Sequence, residues 1–220
     1  MVGFSFAPLR WEREVPMPAG SCFVIASSGV LAEKTGAARD RYNRLSALGQ
    51  RLLTIWNDAT RPTVPTLDAA LDTDPDAADR LRRFIAAMDP DEDRAALLAR
   101  LDHFVAESRE IIPAAVMALA LDDLAGFGTL VDRSQDLAAT LLENQIPETR
   151  FLASTAREAG ALAASAFGAG FGGSVWALVP AATAPGFLDL WRDRYHARYP
   201  EHDDAEFFIT AAGPPARRLL

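Results

Sequence analysis

The stretch AFGAGFGGS, residues 166–174, places four glycines among six consecutive positions between two apolar segments. Glycine adopts positive φ at no steric cost and lets the backbone approach a neighbour closely. The apolar periodicity on either side predicts a helix over Glu148–Ser165 and a strand over Ser174–Val179. We therefore expect a helix-to-strand turn on the protein surface, with at least one glycine at positive φ.

Besides a dinucleotide site, two interpretations of this turn are open. Gly168, Gly170 and Gly173 satisfy the dinucleotide fingerprint G-x-G-x-x-G, but that motif requires a preceding strand and a following helix. The predicted order is the reverse, so no helix N-terminus would receive a pyrophosphate. The glycines could instead contact some other ligand through the backbone, or they could only cap the helix and let it pack on the strand.

The remaining chain combines strands at both ends with a helical middle. Turn residues and apolar runs predict strands over Phe4–Leu9, Trp11–Val15, Cys22–Ala26 and Glu206–Ala211. Apolar residues spaced by three and four predict helices over Thr35–Asn57, Asp76–Met88, Asp91–Glu107, Pro113–Ala125, Thr129–Asn144 and Ala184–Tyr199. This order indicates an α+β fold, in which a small antiparallel sheet carries a large helical layer.

Composition excludes several classes of function. With 220 residues, half of them apolar, the chain can bury a core, and its net charge of −8 argues against a nucleic-acid partner. The longest apolar run, residues 114–121, is far shorter than the roughly 20 residues that span a bilayer. Cys22 is the only cysteine, which excludes an internal disulfide and a cysteine zinc site. We expect a cytoplasmic protein without a membrane partner.

Gly160-Ala161-Leu162, followed at a fixed spacing by Gly168–Gly173, resembles the third conserved motif of the galactokinases, which are GHMP sugar kinases. The strand and serine turn Phe23–Val30, the helix bearing Tyr42, and the helical pattern with Arg100, His103 and Glu107 extend the resemblance over nearly the whole chain. The resemblance implies the C-terminal half of such a kinase. Residues 1–30 would continue from the other half, and residues 31–220 would form the ferredoxin-like C-terminal domain.

The resemblance also implies site residues. Gly168, Gly170, Gly172 and Gly173 would contact the nucleotide site through their backbone, and Tyr42 would approach the sugar. Ser165 and Phe167 depart from the family pattern, which commonly has a basic residue and a small hydroxyl residue there. Because the spacing from Ser28 to Tyr42 is about one helical turn longer than in the family, an alternative places Tyr42 in the apolar core.

The implied activity is ATP-dependent phosphorylation of a sugar hydroxyl, at C1 of galactose, with ATP and magnesium held mainly by an N-terminal half. The first and second family motifs are absent, and Pro16–Ser21 has one glycine and no serine run, so it does not resemble the phosphate loop. We assign no catalytic residue and no metal ligand to this chain, and we expect its partners to be that half and a sugar. Three interpretations remain: a fragment of a longer kinase, a natural half, or a non-catalytic binding or regulatory module.

Overall fold

A computed structural model describes residues 2–6, 8–32, 37–89, 93–211 and 213. The strands are β1 (Val2–Phe6), β2 (Leu9–Glu14), β3 (Ser21–Ser27), β4 (Ala163–Ala166), β5 (Ser174–Pro180) and β6 (Phe207–Thr210). The helices are α1 (Ala37–Ala59), α2 (Leu67–Leu71), α3 (Ala77–Ala87), α4 (Arg94–Val105), α5 (Ile112–Ala120), α6 (Leu124–Thr140), α7 (Pro147–Glu158) and α8 (Ala184–Arg198). Thr35 and Asp91, two predicted helix starts, lie outside the described residues.

The sheet has the strand order of a ferredoxin-like fold. Four antiparallel strands lie in the order β4-β5-β3-β6, and their connections run β3, α7, β4, β5, α8, β6. The helices α1 to α6 form an insert between β3 and α7. The prediction of a small antiparallel sheet with a large helical layer is therefore confirmed.

One face of the sheet packs against α7 and α8. Alternate residues of β3 and β5 point to this face because side chains alternate along a strand, and they are buried with residues of both helices. The indole N–H of Trp191 donates to the Leu152 carbonyl at 3.0 Å, and the Tyr195 hydroxyl donates to the Ser28 carbonyl at 2.6 Å. These bonds fix α8 against both α7 and the end of β3.

The helical insert has a core of its own, built by α1, α2, α3 and α4. Its buried residues recur at helical spacing, as the sequence pattern predicts, and are Leu48, Leu52, Trp56, Leu67, Ala70, Ala77, Leu81, Ile85, Leu97 and Leu101. A π-helical turn, Ala106–Ile111, joins α4 to α5. None of the helices that the structure describes is long and apolar enough to cross a membrane.

The predicted helix Glu148–Ser165 is too long. It ends at Glu158 because Gly160 adopts φ +100° and the N–H of Ala161 returns to the Ala156 carbonyl, which closes the helix end. The chain then pairs with β5 as strand β4. The expectation that the glycine run joins a helix to a strand is therefore wrong, because a strand precedes it.

The strands at the start of the chain form a separate hairpin. β1 pairs with β2 in an antiparallel two-stranded sheet, in which Val2 lies opposite Glu14, and every residue of β2 is exposed. This hairpin does not extend the four-stranded sheet.

Candidate functional site

The glycine run forms the loop of the hairpin between β4 and β5. All four of its glycines, Gly168, Gly170, Gly172 and Gly173, have φ between +66° and +128°, and Phe171 has φ +62°. The expectation of positive φ is confirmed. The dinucleotide interpretation remains excluded because a strand, not a helix, follows the loop.

Two of these glycines are required by the chain's own backbone. A Cβ at Gly170 would overlap the carbonyl oxygen of Asn144, and a Cβ at Gly172 would lie 2.9 Å from the carbonyl oxygen of Val30. A Cβ at Gly168 would meet nothing within 4 Å. Intramolecular packing therefore accounts for Gly170 and Gly172, whereas Gly168 faces open space.

The loop leaves several backbone donors free. The N–H of Phe171 donates to the Asn144 carbonyl at 2.6 Å, and that of Gly173 donates to the Val30 carbonyl at 2.8 Å. The N–H of Phe167 donates to the Ser174 carbonyl at 2.9 Å, whereas the N–H groups of Gly168, Ala169, Gly170 and Gly172 have no acceptor in the described part of the chain. Successive free N–H groups in a turn form a concavity that suits anions.

These residues line an open cavity of ≈ 700 Å³, and Tyr42 lines the same cavity. The tyrosine side chain is 45% exposed, so the alternative that Tyr42 is a core residue is wrong. The apolar residues Ile25 and Phe208 also line this cavity. The structure thus brings together all the residues that the sequence nominated, while their ligand contacts stay predictions.

Three hydrogen-bonded side-chain amides, Gln135, Gln145 and Asn144, form an amide row that contacts the loop. Gln135 donates to Gln145 at 3.2 Å, Gln145 donates to Asn144 at 3.1 Å, and Asn144 donates to the Ala169 carbonyl at 3.1 Å. Gln135 and Asn144 are 8% and 5% exposed. Buried amides with partners on both sides hold a single geometry, because a lost bond leaves a buried polar group unpaired.

Gln135 also holds the strand that enters the loop. Its Oε1 accepts hydrogen bonds from the Ser165 hydroxyl at 2.9 Å and from the Ala166 N–H at 3.0 Å. Ser165, which departs from the family pattern, therefore has a structural partner in Gln135. Sequence reasoning gave Gln135 and Asn144 no role. The available signal was the position of Gln135 one helical turn after Val131, which places a polar residue on the apolar face of α6.

The helical residues that follow the family pattern lie elsewhere. Arg100 and His103 on α4 do not line the cavity. Burial, and then the charge of Arg100, lowers the pKa of His103 to about 4. His103 is therefore neutral at pH 7, and its surroundings are those of a packing residue. No group of three or more metal-ligand side chains occurs within the described ranges.

Beside the cavity lies a groove on the sheet face opposite α7 and α8. This apolar groove, ≈ 420 Å³, has an almost wholly apolar lining. Its residues are Met17, Pro18, Phe23, Ile25, Leu119, Phe127, Phe167, Trp176, Leu178 and Thr210. Ile25, Phe167 and Thr210 also line the glycine-loop cavity, so the two form one continuous surface.

Comparisons with solved structures show which known fold this chain resembles. Galactokinase from Lactococcus lactis, solved with galactose, superposes with a TM-score of 0.79 over 99% of this chain and 52% of its own length, at 23% identity. Mevalonate kinase from L. major gives 0.48 over 87% and 43% at 17% identity, and homoserine kinase from Cytophaga hutchinsonii gives 0.45 over 94% and 46% at 15%. The chain thus spans about half the length of these structures.

Sequence comparisons address the family itself. No curated protein sequence matches significantly. Residues 115–197, which include α6, α7, the glycine loop and most of α8, match the family described as GHMP kinases C terminal. This match includes the free N–H groups and the amide row. Residues 115–197 therefore match the C-terminal domain of the GHMP kinases, and the fold of the chain is similar to that of the Lactococcus galactokinase.

Proposed function

We propose that this chain is the C-terminal domain of a galactokinase-type sugar kinase, which transfers a phosphoryl group from ATP to a sugar hydroxyl, at C1 of galactose. One observation carries the proposal. The loop residues whose N–H groups have no acceptor line the same cavity as Tyr42, so residues that can donate to phosphate and an aromatic residue suited to a sugar share one space.

In this proposal ATP supplies the transferred phosphoryl group, and magnesium neutralises its charge. The chain's own contribution is positional. The N–H groups of Gly168, Ala169, Gly170 and Gly172 would hold phosphate oxygens, and Tyr42 would close over the sugar. The amide row keeps the loop in place before ligand arrives, which lowers the cost of ordering it on binding.

The remaining machinery would come from an N-terminal kinase half. The Lactococcus galactokinase is about twice as long as the part that this chain matches. The apolar groove is suited to such a partner, because an exposed apolar patch next to a candidate site marks an interaction surface. The half would supply the phosphate loop, the metal site and the base, and it would cover Phe167 and Trp176.

The test is reconstitution. We expect the purified 220-residue chain to give no ADP release with galactose or other hexoses, because positioning and charge stabilisation carry phosphoryl transfer. Mixing it with the N-terminal half of a galactokinase should produce sugar-dependent ADP release. Association is measured separately by analytical ultracentrifugation, so that a failure to dock is distinguished from a failure to react.

A matched pair of variants tests the loop. Gly168→Leu fills open space at the cavity, and Gly20→Leu fills open space at a distant turn with a similar φ, +70° against +66°. Both carry the same backbone strain, so only Gly168→Leu should abolish ADP release in the reconstituted enzyme. Turnover by the isolated chain, or equal activity of the two variants, would contradict the proposal.

A further inference from the structure

A second cavity lies on the other side of Phe171. It has a volume of ≈ 540 Å³ and is bounded by α1, α4 and the segment that follows α6. Three arginines line it, Arg41 and Arg44 from α1 and Arg100 from α4. Phe171 lines this cavity and the glycine-loop cavity alike, so the two cavities adjoin at this residue.

Arg100 is a half-buried cation that has no counter-charge among the described residues. Its Nε is shielded from solvent and has no hydrogen-bond partner, and no carboxylate of the described residues forms an ion pair with it. Burial lowers the pKa of Arg100, and no acidic neighbour offsets this effect. A desolvated charge is costly unless it is paired or binds a ligand. The contact that Arg100 makes is with a ring, since its Cζ lies 5.9 Å from the centroid of Phe104, and it has no anionic partner among the described residues.

The other charges at the cavity leave it positive. Arg41 lies over the Phe171 ring, 5.4 Å from its centroid, and forms no ion pair with a described residue. Arg44 is bonded to Asp93 at 3.1 Å. The exposed Glu143 is the acidic residue among those that line the cavity. The arginines at this cavity thus form a positively charged region on a chain whose net charge is −8.

We propose that this cavity is a binding site for a phosphate-class oxyanion, held by the guanidinium groups of Arg41 and Arg100. Planar guanidinium groups match the spacing of phosphate oxygens, and their charge-assisted bonds are the stronger kind of hydrogen bond. The cavity volume lies in the range of small-molecule sites, so the anion is inorganic phosphate or the phosphate group of a small monoester. The site depends on no catalytic role for the glycine loop.

The proposal is tested by calorimetric titration of the 220-residue chain with inorganic phosphate, a hexose monophosphate and a nucleoside monophosphate, each against chloride at matched ionic strength. Tighter binding of one monoester identifies the source of the phosphate group. Equal binding of all three indicates a site for the free anion. We expect saturable binding by at least one of them.

Three variants locate the site. Arg100→Met should weaken binding about tenfold or more, as expected for a lost bond between charged groups, and Arg41→Gln should weaken it by a smaller factor. Arg83→Met, at an exposed arginine on α3 outside the cavity, should bind as the parent does. If Arg100→Met does not fold, the exposed Arg41→Gln decides the question. Absence of saturable binding, or affinities unaffected by Arg41→Gln and Arg100→Met, would overturn the proposal.

Discussion

Gly170 lies directly against Asn144: the carbonyl oxygen of Asn144 occupies the space that a Cβ at Gly170 would need, and it accepts the N–H of Phe171 at 2.6 Å. The side chain of Asn144 donates to the Ala169 carbonyl on the same loop. Asn144 thus bonds to the glycine loop through both its backbone carbonyl and its side-chain amide. The conformation of the loop is therefore built into the fold and precedes any ligand.

Alanine substitutions at Gly170 and Gly168 separate steric contact from backbone strain. Both glycines have positive φ, which costs an alanine about 1–2 kcal/mol. Only Gly170→Ala also collides with Asn144, so we expect it to lose a further ~1–3 kcal/mol of unfolding free energy relative to Gly168→Ala. Urea denaturation of the two variants measures the difference. Equal losses would show that the loop does not press on Asn144.

Removing the amide of Gln135 should loosen the loop without unfolding the domain. Gln135→Ala leaves the half-buried Ser165 hydroxyl and Ala166 N–H without this acceptor, at a cost of about 0.5–1.5 kcal/mol for each lost hydrogen bond. Hydrogen exchange at Ala166 and Phe171 should accelerate, while exchange in α8 stays unchanged. Gln50→Ala, at an exposed glutamine on α1, is the control. Uniform acceleration throughout the domain would argue against a local role.

The fold was largely predictable from the sequence because apolar periodicity is a local signal. The core of the helical insert follows from residues such as Leu48, Leu52 and Trp56, whose spacing marks one helix face. β4 was missed because Ala163–Ala166 has an apolar, alanine-rich sequence that also suits a helix. Pairing with β5 across the glycine loop decides its conformation, and the composition of the segment alone does not indicate this pairing.

The candidate site was likewise predicted in part. Positive φ at the glycines is a property of single residues, and it was predicted correctly. The association of Tyr42 with the loop came from the resemblance, since 126 residues or more separate them in the chain. Gln135 and Asn144 escaped prediction because their partners include groups on the distant segment of residues 165–169. Arg41 and Arg100 meet at one cavity only because α1 packs against α4.

Stability should fall on mild acidification because of His103. Its pKa is lowered from the ordinary 6.5 to about 4, so between these values the unfolded chain binds a proton that the folded chain does not. The free energy of unfolding therefore decreases as pH falls from 6.5 towards 4. His103→Asn should be less sensitive to pH over this window than the parent, measured by urea unfolding at pH 7 and 5. An equal pH response of parent and variant would contradict this account, and His196→Asn serves as a control.

The apolar groove should be detectable as exposed hydrophobic surface in the isolated chain. Phe167, 47% exposed, lies at the junction of the groove and the glycine-loop cavity, whereas Phe4, 57% exposed, lies on the separate β1–β2 hairpin. We expect the chain to bind a hydrophobic dye or to self-associate at micromolar concentration, because apolar patches of this kind attract partners. Phe167→Ser should reduce both effects more than Phe4→Ser, although the two changes remove the same side chain from similarly exposed positions.

The same pair of variants connects the groove to docking of an N-terminal kinase half. If that half covers the groove, its addition should suppress dye binding by the parent chain, and Phe167→Ser should weaken the association measured by ultracentrifugation while Phe4→Ser leaves it intact. The reason is that burial of a phenylalanine side chain contributes about 1.5–3 kcal/mol, enough to shift the association constant by roughly tenfold or more. The opposite result would be a monodisperse chain that binds no dye, with an association constant that Phe167→Ser leaves unchanged. That result would favour a domain that works without such a partner.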